Sequence, residues 1–171
     1  MNISKFTQKS IQAIQDCEKL AYDYGNQEIE QEHLLLALLT QEESLLAQLI
    51  QKMDINTDYF RNVAEGAVSK RTKVQGGQVY VGQNLNKVLI SAEDEAKAMG
   101  DEYVSVEHLF LSMLKYPNKE IKEIFKEFGF LRVHVSYIVN SKYIVAWYKD
   151  EVELINKVLI PVSRGKKRKY R

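Results

Sequence analysis

The sequence predicts an all-α fold in which two pseudo-symmetric helical repeats, with about seven or eight helices in all, form one domain. A run at residues 32–36 (EHLLL) recurs at residues 107–111 (EHLFL), and apolar positions around it keep the same register without gaps. Each repeat is too short to bury its apolar stripe alone, so the two are expected to share one core. We therefore predict a repeat domain over 1–130, with repeats at about 6–71 and 81–130 and a loop at 72–82.

The first helix follows from the spacing of apolar residues in residues 7–25. Ile11, Ile14, Cys17 and Ala21 are spaced by three and four, which places them on one helix face. Thr7 precedes the stripe as an N-cap would, and Gly25 follows it as a left-handed C-terminal residue would. Cys17, on the stripe, is expected to be a buried small hydrophobe.

The remaining helices follow from the same periodicity and from the repeat. Glu32 and Glu107 lie in first turns, where the helix dipole favours negative charge, and Ser105 is a good N-cap. The predicted helices are at about 31–40, 44–53, 56–71, 84–99, 106–116 and 119–128.

A glycine-containing segment at 73–81 separates the repeats. Gly76 and Gly77 are adjacent and no helical period is present, so a connecting loop is predicted. We expect its apolar residues to pack back on the body rather than face a partner; they are Val74, Val79, Tyr80 and Val81.

Composition restricts the class of protein. Lys and Arg total 24 and Asp and Glu 23, but residues 164–171 hold six of the positive charges, so the rest of the chain is mildly acidic. One cysteine excludes an intramolecular disulfide and a Cys-rich zinc site. No signal peptide and no apolar run long enough for a membrane span are present, so a cytoplasmic protein without membrane contact is expected.

No motif predicts catalysis or a cofactor. The chain contains no G-x-x-x-x-G-K-[ST] sequence for nucleotide phosphates, and no Ser, His and Asp arrangement stands out. His33 and His108 supply one imidazole per repeat without a second ligand nearby, so packed, hydrogen-bonded histidines are favoured over a metal site. We expect no enzyme activity, no metal and no cofactor.

The tail at 131–171 departs from the helical pattern. Apolar residues alternate at 131–139, the period of a strand, and the helical body offers no sheet for such strands to join. Three interpretations remain open. The tail is a product of a shifted or interrupted reading frame, or a divergent extension with a helix near Asp150–Leu159, or a basic segment at 164–171 that contacts nucleic acid or anionic lipid.

Several short runs resemble the Clp N-terminal repeat domain. They are FTQK at 6–9, YGNQ at 24–27, EQEHLL at 30–35, VQGG at 74–77 and AMGDEYVSVEHL at 98–109. The linker run is more similar to ClpB-type disaggregases than to ClpA or ClpC. The resemblance covers residues 1 to about 130 and implies an N-terminal domain that ends before two AAA+ ATPase modules.

The resemblance also implies a function and candidate residues. Such domains engage unfolded or aggregated polypeptides, or adaptor proteins, without chemistry, and positions matching Thr7, Asp101 and Glu107 are tied to substrate handling. In ClpC-like domains the glutamates that match Glu32 and Glu107 receive the guanidinium of phosphoarginine, which leaves adaptor or phosphoarginine docking as an alternative. Nucleic-acid contact through the basic end ranks below both, and a monomer is expected.

Overall fold

A computed structural model describes residues 2–164, so most of the basic segment at 164–171 lies outside the described residues. The chain divides into two compact units, Met1–Ile124 and Phe125–Arg171. The helices of the described residues are α1 (Gln8–Asp23), α2 (Gln31–Thr40), α3 (Leu45–Lys52), α4 (Thr57–Ser69), α5 (Gln83–Ala98), α6 (Val106–Lys115) and α7 (Lys119–Glu127).

The helix bounds confirm the predicted helices, and local chemistry explains several of their ends. Thr7 caps α1, because its Oγ1 accepts the backbone N–H of Ser10 at 3.2 Å. Gly25, past the end of α1, has φ +72°, a conformation that glycine adopts at little cost. Helices α1 and α5 begin 75 residues apart, and so do α2 and α6. These bounds agree with the register of the sequence repeat, while its two-fold symmetry stays a prediction.

The core of the first unit is built around α2. Its residues Gln31–Leu39 are all buried, as expected for a helix surrounded by neighbours. It packs against α1, α3, α4, α5 and α6. Burial therefore extends to the first-turn residues of α2, including the charged Glu32.

The all-α prediction is wrong in detail, because the first unit contains a short parallel pair of strands. Strand β1 (Glu28–Ile29) pairs with β2 (Tyr80–Val81), and Phe6 makes an isolated bridge to Val104. The segment at 73–81 is thus partly a strand. Its apolar side chains do not pack as predicted: Val74, Tyr80 and Val81 are 44%, 53% and 47% exposed.

The second unit consists mainly of β-structure. Its strands are β3 (Phe130–His134), β4 (Tyr137–Asn140), β5 (Ile144–Trp147), β6 (Glu151–Leu154) and β7 (Leu159–Pro161). Strands β3 and β4 form an antiparallel hairpin, and the antiparallel order β5-β6-β7 forms a second sheet. The buried residues of this unit form a small core of Val133, Val139, Val152 and Val162.

The strand prediction for 131–139 is confirmed, and two other expectations are wrong. The segment Asp150–Leu159 holds strand β6 instead of a helix. The strands also find partners, because they pair with one another rather than with the helical body. Within residues 2–164, no helix combines the length and apolarity needed to cross a bilayer.

Candidate functional site

Thr7 lies against the link between α5 and α6. Its backbone N–H donates to the carbonyl of Val104 at 2.9 Å, and the hydroxyl of Ser10 donates to the same carbonyl at 2.9 Å. Val104 in turn donates its N–H to the carbonyl of Lys5. The start of α1 and the link that carries Asp101 are therefore neighbours in the fold, although they are far apart in sequence.

Asp101 is held by a buried histidine. His108 Nε2 lies 2.7 Å from Asp101 Oδ2, and His108 Nδ1 accepts the backbone N–H of Ser105 at 2.9 Å. Because Nδ1 accepts, the ring proton lies on Nε2 and donates to the carboxylate. The side chain of Asp101 is 46% exposed, so it can still accept hydrogen bonds from a ligand.

Ser105, His108 and Asp101 form a hydrogen-bonded chain that the sequence analysis did not single out. Ser105 Oγ lies 2.9 Å from His108 Nδ1. We interpret the chain as a helix cap, because His108 Nδ1 already accepts the backbone N–H of Ser105, the N-cap residue of α6. The same bonds occur at the start of α2, where His33 Nδ1 accepts the backbone N–H of Glu30 and His33 Nε2 bonds to Asn26 Oδ1. No nucleophile is present among these three residues. The packed-histidine prediction is thus confirmed for both rings, each at most 1% exposed.

Glu107 is exposed in the first turn of α6, and exposed apolar side chains precede it in the chain. Tyr103 is 54% and Met99 38% exposed. We call Thr7, Asp101, Tyr103 and Glu107 the α1–α6 surface. It combines two carboxylates, a hydroxyl and an aromatic ring on adjoining segments, which suits an apolar polypeptide that carries donors or positive charge.

Glu32 is not part of this surface. Its side chain is fully buried, where it forms an ion pair with Nη1 of Arg71 and accepts a hydrogen bond from Asn118 Nδ2. A ligand that reached this carboxylate would have to displace Arg71. Sequence analysis did not identify this partner, because the segments of α3 and α4 separate Arg71 from Glu32 in the chain.

The buried group around Glu32 contains further polar residues. The carboxylate of Glu30 accepts the N–H of Gln31 at 3.1 Å and that of Asn84 at 3.2 Å, so it caps both α2 and α5. Burial raises the pKa of Glu30. Burial, and then the positive charge of Arg71, lower the pKa of His33 to about 4. His33 is therefore a neutral structural imidazole at neutral pH.

Cys17, the one cysteine of the sequence, lies on the buried face of α1. Burial raises the pKa of the Cys17 thiol, which is 2% exposed, so the thiolate that would react is disfavoured. In the part of the chain that the structure describes, no three His, Cys, Asp or Glu side chains converge as metal ligands.

The second unit differs from the first in charge. Residues 125–171 contain 11 Lys and Arg but 4 Asp and Glu, whereas residues 1–124 contain 13 and 19. The described cations Lys142, Lys149, Lys157 and Arg164 are exposed. Six of the 11 cations lie at 164–171, so residues 125–163 carry 5 Lys and Arg against 4 Asp and Glu, and the excess of positive charge belongs almost entirely to the end of the sequence.

Comparison with known proteins identifies the first unit. The model of the Clp repeat (R) N-terminal domain matches residues 5–128. The chain belongs to the Clp N-terminal domain family. Chaperone protein ClpB of Nitratidesulfovibrio vulgaris is 40% identical over 141 residues, and that of Porphyromonas gingivalis is 40% identical over 114 residues. These matches cover 79% and 67% of this chain but 16% and 13% of the relatives, so the chain spans about a sixth or less of their length.

Solved structures with the same fold are also Clp N-terminal domains. The Hsp104 N-terminal domain from Candida albicans has a TM-score of 0.66 at 23% identity, and the match covers 72% of this chain and 81% of that one. The N-terminal domain of the ClpV1 ATPase from Escherichia coli has a TM-score of 0.63 at 22% identity and covers 71% and 77%. At these identities the likeness concerns the fold.

A second family matches the C-terminal part. The model of the LytTr DNA-binding domain matches residues 113–171. The match and the small valine core favour a folded extension, and the three interpretations of residues 131–171 stay predictions.

Proposed function

We propose that the first unit is a binding module of a ClpB-like disaggregase that engages unfolded or aggregated polypeptide, or an adaptor, without catalysis. The main support for this proposal is that the chain belongs to the Clp N-terminal domain family, and the α1–α6 surface adds to it. The ATPase activity would come from other modules, since no nucleotide-phosphate motif is present in the sequence. A cytoplasmic location fits this role.

The geometry of the α1–α6 surface supports polypeptide binding. Tyr103 offers an exposed aromatic ring, which contributes contact area at low entropic cost. Asp101 and Glu107, exposed on either side of Tyr103 in the sequence, supply acceptors for the N–H groups and positive side chains of a bound segment. Thr7 and Asp101 are positioned by backbone and histidine contacts, so the surface is pre-formed.

A related complex supports a peptide ligand. The solved complex of a ClpV N-domain with a VipB peptide has a TM-score of 0.59 at 18% identity to this chain. We infer that a short segment of a partner is a sufficient ligand here too.

The experiment measures binding of a fluorescent, permanently unfolded protein, such as reduced carboxymethylated α-lactalbumin, to the full chain by anisotropy. Tyr103→Ser and Glu107→Gln should each weaken binding several-fold. Tyr22→Ser and Glu18→Gln are matched controls, because these exposed residues lie in the C-terminal half of α1, outside the α1–α6 surface. Equal affinities for the variants and their controls would refute the assigned surface, and no binding would refute the function.

Phosphoarginine docking in the ClpC manner has weaker support. Of the two glutamates, Glu107 is exposed, whereas Glu32 is already paired with the guanidinium of Arg71. A phosphoarginine ligand would have to compete with this internal arginine at Glu32.

The second unit supports a second candidate function, namely nucleic-acid binding. The match to the LytTr DNA-binding domain and the excess of cations in residues 125–171 both favour it. Exposed Lys142 and Lys149 would contact phosphates, and residues 165–171 add further positive charge in the sequence.

This candidate is tested by titrating a 30-base-pair duplex with the full chain at several salt concentrations. Lys142→Glu with Lys149→Glu should weaken binding and reduce the salt slope by about 0.9 per lost phosphate contact. The control pair Lys52→Glu with Lys97→Glu places the same charge change on the first unit. An absence of binding at low salt, or an equal effect of both pairs, would exclude the candidate.

A further inference from the structure

A cavity of about 380 Å³ opens in the first unit beside Arg71, away from the α1–α6 surface. Its walls include the apolar side chains Ala67, Val74 and Tyr80. Two of these belong to the segment between the repeats and are about half exposed, so they are available to a ligand. The volume is at the lower end of ligand sites and fits one or two residues of a polypeptide.

The guanidinium of Arg71 has donors that the protein leaves open. Nη1 donates to Glu32, whereas Nη2 lies 3.7 Å from Glu28 Oε2, beyond hydrogen-bond distance. The buried Nε has no hydrogen-bond partner among the described residues. A guanidinium edge with unfilled donors matches the geometry of a carboxylate.

Two further polar groups line the same cavity next to Arg71. The side chain of Lys70 is exposed and adds a second positive charge, and Thr72 adds a hydroxyl donor. Glu28 and Glu120 also line the cavity. These carboxylates can accept backbone N–H groups of a peptide, and they disfavour a ligand with a second negative charge.

We propose that this cavity binds the C-terminal end of a polypeptide, with the free terminal carboxylate on Lys70 and Arg71 and an apolar last side chain against Val74 and Tyr80. The proposal rests on the proposed function, since it names one part of the polypeptide that the module would engage. The ligand fills the open donors of Arg71 and covers the exposed apolar wall. The terminal carboxylate takes the place of Glu28, whose Oε2 forms an ion pair with Nη2 at 3.7 Å without a hydrogen bond.

The test uses the full chain and fluorescein-labelled decapeptides of Gly and Ser that end in Leu-Leu. The peptide with a free C-terminus should bind about tenfold more tightly than its C-terminal amide, because amidation removes the charged acceptor. A peptide ending in Glu-Glu should also bind more weakly than the one ending in Leu-Leu. Equal affinity of acid and amide, or no binding of either peptide, would overturn the proposal.

Variants locate the effect without disturbing the buried ion pair of Arg71. Lys70→Glu and Val74→Asp change exposed side chains of the cavity and should each reduce affinity for the free-carboxylate peptide at least about fivefold. Lys52→Glu is the matched control, since it lies in the last turn of α3 outside the cavity. If the two cavity variants lost no more affinity for the peptide than Lys52→Glu does, the proposal would also be overturned.

The outcomes separate this proposal from the function on which it rests. If the unfolded protein binds but the terminal carboxylate has no effect, the cavity proposal fails and the α1–α6 surface stands. If neither the unfolded protein nor the peptides bind, both fail.

Discussion

Arg71 pairs with Glu32 at the start of α2, the most buried helix among the described residues. The side chain of Glu32 has no solvent exposure, whereas that of Arg71 is 22% exposed at the edge of a cavity. The buried carboxylate therefore depends on one arginine and on the amide of Asn118. This pair links the stability of the first unit to the residue that we assign to ligand binding.

Removing the arginine leaves a buried charge without its partner. Arg71→Met should lower the free energy of unfolding by about 3 kcal/mol, measured by urea denaturation followed by circular dichroism. Adding Glu32→Leu to this variant should restore most of the loss, since both charges are then absent. Arg61→Met, which removes a partly exposed pair with Asp58, should cost less than about 1 kcal/mol. A similar cost for both arginine variants would contradict the importance of the buried pair.

The approach of Glu30 to the start of α5 requires glycine at position 82. A Cβ at Gly82 would lie 2.0 Å from Oε1 of Glu30, the oxygen that accepts the N–H of Asn84. Gly82→Ala should therefore cost about 1–3 kcal/mol, as the carboxylate moves and a helix N–H loses its partner. Gly66→Ala is the matched control. It lies within α4 with no atom near the added methyl group, and it should stabilise by about 0.5–1 kcal/mol. The melting temperature should fall for Gly82→Ala and rise for Gly66→Ala. Shifts in the same direction would contradict the role of Glu30 as a cap shared by α2 and α5.

The titration of His33 predicts how stability depends on pH. Its pKa is about 4 in the folded state, below the ordinary value of 6.5, so the unfolded chain binds a proton that the folded chain does not. The free energy of unfolding should fall as the pH drops from about 6.5 to about 4. Glu30 offsets part of this loss, because its raised pKa lets the folded state take up a proton in the lower part of the range. An NMR titration of the His33 ring checks the assignment, and a midpoint near 6.5 would contradict it.

The valine core of the second unit gives a test of whether residues 125–164 fold as described. Val152 is fully buried, so Val152→Asp should unfold the sheets and shift the fluorescence of the single tryptophan, Trp147, to longer wavelength. The helical signal at 222 nm should change little. Val145→Asp, at a position that is 58% exposed on β5, should leave the fluorescence nearly unchanged. An equal response of the two variants would show that no packed core exists.

The helices could be predicted because their signals are local. Spacing, caps and a terminal glycine define α1, and the repeat places α5 and α6. Even so, the buried face of α1 contains Ser10 and Ala13 rather than Ile11 and Ile14, which are only partly buried. Small residues face the interior here because α1 packs closely on α2.

The polar contacts of the site could not be predicted, because they join residues distant in sequence. Arg71 and Asn118 reach Glu32 only in the folded chain, and no periodicity marks them. The sheets of the second unit were missed for a related reason. The alternation at 131–139 predicts strands, and these pair with each other as β3 and β4, whereas the separate sheet of β5, β6 and β7 includes a segment whose pattern predicts a helix.

The central claim, that unfolded polypeptide binds the α1–α6 surface, is tested most directly by NMR. Nitrogen-15-labelled full chain would be titrated with unlabelled reduced carboxymethylated α-lactalbumin, and the shifts of the backbone amides would be mapped. We expect the largest changes at Thr7 and at residues 101–107, with residues 125–164 unaffected. Changes confined to the second unit, or none at saturating ligand, would contradict the claim.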